Sequence, residues 1–408
     1  MSKLLLATAT LVIVLVTCAP ALAQDQDPGG FRVFWRDGMR METNDGRFQL
    51  RLGGRIQFDW TFWGDDSEIA AAVGGPIEDG TEFRRARIFV EGYVYERIEY
   101  KAQFDFAGGE VAFKDVYFGI RHDKYGFRLG HFKEPFGLET LTSSKYITFV
   151  ERSLPGAFDA ERNSGFMLHG ALLDESLYYG AGVFRETGDD GIGRLPGRYN
   201  FTGRVAGTPI NEDDGRRLVH LGAAVTLQND DGAARAYTQR PEVHLAPRFI
   251  SSGDLEIDSA LAIDLETAVI HGPFSVQAEW RWSPIDAPGS GDPTFWGAYA
   301  FASWFLTGES RVYDEGAFDR LHPARNFLDG DGGLGAWEVA LRYSVLDLTA
   351  EQADRSATPI VGSRLDNLTV GLNWYWNPMT LTRLNLVRSE IDEVGGIWAV
   401  LWRGQLEF

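Results

Sequence analysis

The sequence predicts an all-β protein, a 16-stranded antiparallel transmembrane β-barrel with long loops folded into the lumen. Three observations predict it. Apolar and polar residues alternate with period two over segments of ten or more residues. Aromatic side chains gather at the ends of those segments, as in Trp60 with Trp63, Trp280 with Trp282, and Trp374-Tyr375-Trp376. An export leader precedes the pattern, and its last segment ends in Phe408.

Composition sets the outer bounds. With 44% hydrophobic and 24% charged residues the chain can bury a core and is not disordered. The 47 glycines and 13% aromatics, without any apolar run of spanning length past the leader, favour strands joined by turns over helices. A net charge of -19 argues against a nucleic-acid partner, because binding phosphate backbones needs a basic face.

Residues 1–23 read as a signal peptide. Lys3 supplies the positive region, Leu4 to Val16 the apolar stretch, and Ala21-Leu22-Ala23 a cleavage site before Gln24. Cys18 is the only cysteine, and Thr17 before it fits a lipoprotein signal poorly. An exported chain left with no disulfide points to the bacterial envelope. Residues 24–47 are expected to form a short periplasmic segment and residues 48–408 the barrel.

The first long segment shows the pattern most clearly. Phe48, Leu50, Leu52, Ile56, Phe58, Trp60 and Phe62 share one face, and Gln49, Arg51, Arg55, Gln57, Asp59 and Thr61 the other. Near the other end Leu368, Val370, Leu372, Trp374 and Trp376 oppose Asn367, Thr369, Asn373 and Tyr375. A soluble sandwich also alternates, but its strands average about 5 to 6 residues, shorter than these. The final segment alternates through Trp398, Val400, Trp402, Leu406 and Phe408, resembling the terminal signal by which outer-membrane barrels are taken up for insertion.

Barrels of this class keep both ends in the periplasm, so strands are even in number and short turns alternate with long loops. Outer connections are expected at residues 64–80, 108–109, 134–163, 186–198 and 229–258, and periplasmic turns at 96–98, 121–125, 174–176, 208–216 and 271–273. Residues 307–333 then fall on the periplasmic side, unusually long for a turn. Residues 242–251 look strand-like but would make an odd seventeenth, so they are assigned to the outer connection as an extended piece folded into the lumen.

Parity also assigns the lumen. Its polar faces carry Arg51, Arg55, Arg85, Arg87, Lys101, Arg121, Arg128, Arg204, Arg281, Arg342, Arg383 and Arg403. Against these stand Asp59, Glu91, Asp105, Asp115, Asp264, Glu266, Glu279 and Glu338. The count describes a mildly cationic pore, the arrangement by which anion channels select. Arg84 and Arg85 are adjacent, so only one points straight inward unless the strand is irregular. Lys133 precedes the 134–163 connection and Lys145 lies within it; each could serve the pore or contact lipopolysaccharide phosphates or solvent. Lys114 shares parity with Val116 and Phe118 and is expected to snorkel at a membrane edge.

Several motifs resemble, in order, those of the phosphate-selective porins. They are Leu52-Gly53-Gly54-Arg55, Phe83-Arg84-Arg85-Ala86, Phe136-Gly137-Leu138-Glu139, Thr142-Ser143-Ser144-Lys145, Glu151-Arg152, Gly335-Ala336-Trp337-Glu338 and Asn373-Trp374-Tyr375. The resemblance implies a homotrimeric outer-membrane channel with a constriction of inward-folded loops and an arginine ladder leading to a phosphate site. It places Arg55, Arg84, Arg85, Arg152, Ser143 and Ser144 in or beside that site. One departure is Thr140, where the family carries a lysine.

Catalytic readings find no support: the seven histidines lack metal-ligand spacing, and Asp329-Gly330-Asp331 is not continued as a calcium loop, having Leu334 and Ala340 at the required Gly and Glu positions. No enzyme activity, metal or cofactor is expected. The leading expectation is passive diffusion of anions, phosphate or related oxyanions, through Arg55, Arg84, Arg85, Arg87, Lys133, Ser143, Ser144, Lys145 and Arg152. A general or differently selective porin, and a non-conducting structural or adhesive barrel, are the alternatives. Expected partners are the lipid bilayer, lipopolysaccharide and, during insertion through Phe408, the barrel-assembly machinery.

Overall fold

A computed structural model describes residues 30–64, 67–73, 77–122, 124–193, 197–330, 332–350 and 363–408. The expected signal peptide, Cys18, Asp65 and Asp66 lie outside these residues.

Sixteen strands form the wall: β1 (Phe48–Trp63), β2 (Gly80–Val94), β3 (Ile98–Asp105), β4 (Ala112–Arg121), β5 (Gly126–Lys133), β6 (Arg162–Leu172), β7 (Leu177–Arg185), β8 (Tyr199–Glu212), β9 (Arg217–Arg235), β10 (Leu255–His271), β11 (Phe274–Asp286), β12 (Thr294–Phe305), β13 (Ala336–Asp347), β14 (Arg364–Asn377), β15 (Thr380–Ile391) and β16 (Gly395–Glu407). Each pairs antiparallel with its sequence neighbour, and β16 returns to β1 with Arg403 opposite Asp59 and Glu407 opposite Arg55. Closure leaves no free edge, the condition for a sheet to stand in lipid.

The alternation has the sense the sequence predicts. Trp60 is 46% exposed on the outside while its neighbour Asp59 is 3% exposed in the lumen. Ile56, Phe62, Leu368, Val370, Trp398 and Leu406 continue the outer apolar belt. Aromatic pairs rim it, with Trp60 stacked on Phe62 at 5.1 Å and Trp337 on Trp374 at 5.0 Å.

The barrel closes on two glycines. A side chain at Gly53 would strike the Phe89 ring in the lumen, and one at Gly54 the Phe408 ring outside. The backbone amide of Gly54 donates to the Phe408 carbonyl at 2.7 Å, and the Phe408 amide donates back to the Gly54 carbonyl at 3.2 Å. Below this point a hairpin of two strands, Phe31–Trp35 and Met39–Thr43, pairs with the start of β1, Met39 standing opposite Leu52. The stretch expected to be a plain periplasmic segment therefore extends the sheet.

Three connections enter the lumen, in keeping with the long inward-folded loops the sequence predicts. Residues 134–161 follow β5, residues 236–254 follow β9, and residues 306–335 enter from the opposite end after β12. Residues 242–251 lie within the second of these, where Ile250–Ser251 pairs with Thr238–Gln239, and the strand number stays even.

The apolar side chains of the inserted loops pack on one side of the lumen. Val150, Leu154, Phe158, Tyr237, Val243, Phe249 and Ile250 pack against the inward residues Leu255, Ile257, Ile285, Phe295, Leu346, Leu365, Ile397 and Leu401. These wall residues belong to β10–β16, so the space left open is displaced toward β1–β7.

Candidate functional site: a cationic path beside β1–β7

Two cavities share Lys101, Asp115, Lys133, Leu141 and Ser143 in their linings, and together they make one path along the open side. The first, about 560 Å³, runs beside the constriction segment from Arg51 and Gly54 on β1 to Arg84 and His244. Every residue expected in the anion pathway lines it: Arg55, Arg84, Arg85, Arg87, Lys133, Ser143, Ser144, Lys145 and Arg152. Eleven Arg and Lys side chains face five carboxylates among the described residues that line it. The second cavity, about 490 Å³, opens toward the termini and balances five cations with five carboxylates.

A β-bulge supplies part of the first cavity. Gln57 stands opposite Arg85 and Phe58 opposite Phe83, so Arg84 is the extra residue and side-chain parity slips there. Both arginines consequently reach Glu151 of the constriction segment, Arg84 Nε at 3.0 Å and Arg85 Nη1 at 3.8 Å. A second irregularity between β3 and β4, where Ala102 faces Val116 but Phe104 faces Phe113, surrounds Lys114. Lys114 does not snorkel to a membrane edge as its parity predicts. Its ammonium lines the cavity, 2.7 Å from Asp189.

The constriction segment is fastened by polar contacts. Glu134 accepts from Asn163 at 2.7 Å, from Asn200 at 2.8 Å and from the Thr202 hydroxyl, and burial lifts its carboxyl above the usual range. Gly137, with φ of 78°, passes so close to the Arg281 guanidinium that a β-carbon would lie 2.3 Å from it. The one-turn helix Leu138–Leu141 follows, and Arg152 closes it, donating to the carbonyls of Glu139 at 2.9 Å and Thr142 at 2.7 Å. This turn presents Ser143, whose hydroxyl accepts from Arg55 Nη1 at 3.2 Å, and Ser144, whose carbonyl accepts from Gln57 at 3.0 Å.

Most of the lumen arginines found by parity are neutralised. Arg403 binds Asp59 and, at 2.7 Å, Glu151. Arg342 lies between Glu139 and Glu242, Arg281 among Asp159, Asp264 and Glu279, and Arg204 on Glu266. Arg87 holds Asp105 at 2.6 Å. Counting strand faces alone omits Glu139, Glu151, Asp159 and Glu242, which arrive on loops and pair with these arginines.

Three cavity cations have no carboxylate within ion-pair distance among the described residues: Arg55, Lys133 and Arg152. Lys133 donates to the Thr140 carbonyl, and Arg152 donates to carbonyls only. Lys145 lies 3.0 Å from Glu407, and burial, opposed by Glu407 and reinforced by Arg55, pushes its ammonium down to about 8. Glu151 is buried, yet Arg84, Arg85 and Arg403 outweigh that burial and hold its carboxyl well below the usual range. The hydroxyl of Thr140 donates to Asp159 at 2.6 Å.

Sequence reasoning missed Arg162, which pairs with Asp115 at 2.9 Å beside Lys133, and His244, which sits 2.8 Å from Glu82. Arg162 begins its strand, where parity no longer dictates direction, and no sequence signal marks it. His244 comes from the inserted 236–254 segment.

The family model for phosphate-selective porin O and P matches residues 52–389. The chain belongs to that family. This outer-membrane porin is 28% identical over 397 residues to Porin O of Pseudomonas aeruginosa, covering 88% of this chain and 87% of that one. An uncharacterised protein of Caulobacter vibrioides is also 28% identical, over 89% of this chain and 72% of its own length. Among solved structures, the anion-selective porin from Comamonas acidovorans superposes with a TM-score of 0.55 at 14% identity, covering 88% of this porin and all of that chain. The trimer form of OmpT from Vibrio cholerae gives 0.54 at 10% identity, over 88% and 99% of the two chains. At such identities these structures establish the barrel fold of this porin.

Proposed function

We propose that this porin is a passive channel preferring anions, with phosphate or a related oxyanion as its favoured cargo. The supporting observation is the trio Arg55, Lys133 and Arg152, without carboxylate partners among the described residues, lining a cavity whose remaining cations are held in ion pairs. Fixed positive charge replaces the hydration an anion sheds on entering a narrow passage. The planar guanidinium of Arg55, with the Ser143 hydroxyl beside it, offers several donors to a tetrahedral oxyanion. Ions would enter the larger cavity, pass the 134–161 segment, and leave through the electrically balanced cavity on the periplasmic side.

Planar-bilayer recording tests this reading. Under a potassium chloride gradient the zero-current potential should take the sign of chloride selectivity, and millimolar phosphate should reduce the chloride current. Cation-selective potentials would overturn it. A second reading, an anion-preferring porin without a saturable phosphate site, is favoured by Thr140, whose hydroxyl is engaged by Asp159; chloride selectivity with no phosphate block would establish it. Assembly as a homotrimer and cleavage after Ala23 complete the proposal, the former supported by the trimer form of the OmpT structure.

A further inference from the structure

The two halves of the path differ in chemistry as well as charge. In the periplasmic cavity the arginines are neutralised: Arg128 is paired with Glu99 at 2.7 Å, Arg204 with Glu266 at 2.7 Å, and Arg121 with Glu315. Glu175, Asp314 and Asp319 line it at the rim formed by the 174–176 turn and the third inserted loop, and an aromatic and aliphatic strip faces the constriction segment. Tyr117 and Tyr178 line it from the barrel, backed by Phe132 and Met167, and Leu141 lines it from the constriction segment. Tyr117 meets Phe132 edge-on at 5.7 Å, which fixes the tyrosine ring in the wall.

The ring faces and aliphatic groups of this strip offer little to a hydrated inorganic anion, because an aromatic face carries partial negative charge and ring carbons donate no strong hydrogen bond. They do offer dispersion and offset stacking to an aromatic ring. Lys133 stands where the cavities meet, shared with Ser143 by both linings and with no carboxylate within ion-pair distance among the described residues. An anionic head held there would leave a ring attached to it within the Tyr117 and Leu141 walls. A cavity of about 490 Å³ is of the size that holds small organic ligands.

We propose that the periplasmic cavity is a binding subsite for the aromatic body of an organic anion whose charged head sits at Lys133. The inference rests on the anion-channel reading for the head and extends it to the cargo class, aryl-substituted phosphates or carboxylates in addition to inorganic ions.

The test compares 4-fluorophenyl phosphate with methyl phosphate as blockers of chloride current through the full-length porin in planar bilayers. The expected result is half-block by the aryl ester at about five-fold lower concentration, the size of an aromatic contact. Equal half-block concentrations overturn the proposal. Leu141→Gln and Tyr117→Gln should each narrow the aryl-over-methyl ratio; a ratio unchanged in both variants places the ring elsewhere and also overturns it. Fluorine-19 line broadening of 4-fluorophenyl phosphate on the detergent-solubilised porin, displaced by methyl phosphate only at higher concentration, measures the subsite without any current. A porin that shows this broadening but no anion preference keeps the subsite and loses the channel reading. Anion preference with no difference between the two esters does the reverse.

Discussion

The ammonium of Lys145 lies 3.0 Å from the carboxylate of Glu407, joining the constriction segment to the last strand of the wall. Arg320, from the loop that enters at the periplasmic end, binds the same carboxylate and reaches Asp37 of the N-terminal hairpin at 2.7 Å. Glu407 and Arg320 thus tie the constriction segment, the periplasmic-end loop and the N-terminal hairpin to the last strand.

Lys145 makes the selectivity of this porin depend on pH. Burial drives its ammonium down to about 8, Glu407 partly restores it, and Arg55 and Arg320 lower it again. The charge is present below that value and lost as pH rises through it. Anion preference, read as the zero-current potential in a salt gradient, should therefore fall between about pH 7 and pH 9. Lys145→Arg should abolish that step, since arginine keeps its charge throughout. A wild-type potential that stays flat over this interval would contradict the assignment.

Arg55 and Arg87 lie on neighbouring strands and face the same cavity, but only Arg87 is paired, to Asp105 at 2.6 Å. Removing Arg55 as Arg55→Ala should weaken phosphate block about ten-fold, the loss of one charge-assisted hydrogen bond. Arg87→Ala should weaken it much less. Arg85→Glu combined with Arg152→Glu should lower anion preference further, and unchanged potentials would take both residues out of the path.

Glu151 neutralises arginines from two wall strands. Glu151→Gln leaves Arg84, Arg85 and Arg403 short of one carboxylate, so anion preference should rise while the constriction segment loosens. Loss of a buried ionic partner costs about 3 kcal/mol. The expected outcome is a larger anion-selective potential together with a lower temperature for the unfolding shift on gels. An unchanged potential, or a barrel at least as stable as the wild type, would count against the clamp.

The unequal charge of the two cavities predicts rectification. With eleven cations against five carboxylates in the larger cavity and a balance in the other, anions concentrate at one end of the constriction. Current–voltage curves of singly oriented channels should be asymmetric at low salt and become symmetric near 1 M, where the screening length falls to about 3 Å.

Phe408 closes the barrel against Gly54. Phe408→Ala removes the ring that covers this glycine on the lipid side, and folded porin recovered from the outer membrane should fall several-fold. Equal recovery would separate the terminal ring from assembly.

Sequence alone determined the architecture of this porin, because a strand has a period of two and lipid demands that one face be apolar. From that constraint followed the sixteen strands, the inward faces of Arg55 and Asp59, the even count that sent residues 242–251 into the lumen, and the loops that narrow the pore. What the tertiary structure alone decided is where free charge remains. Bulges at Arg84 and around Lys114 break the period locally, and Glu139, Glu151 and Glu242 reach their arginines across loops whose paths no strand pattern records. Electrostatics depends on distance through space, and inserted loops set those distances only once the barrel is closed and packed.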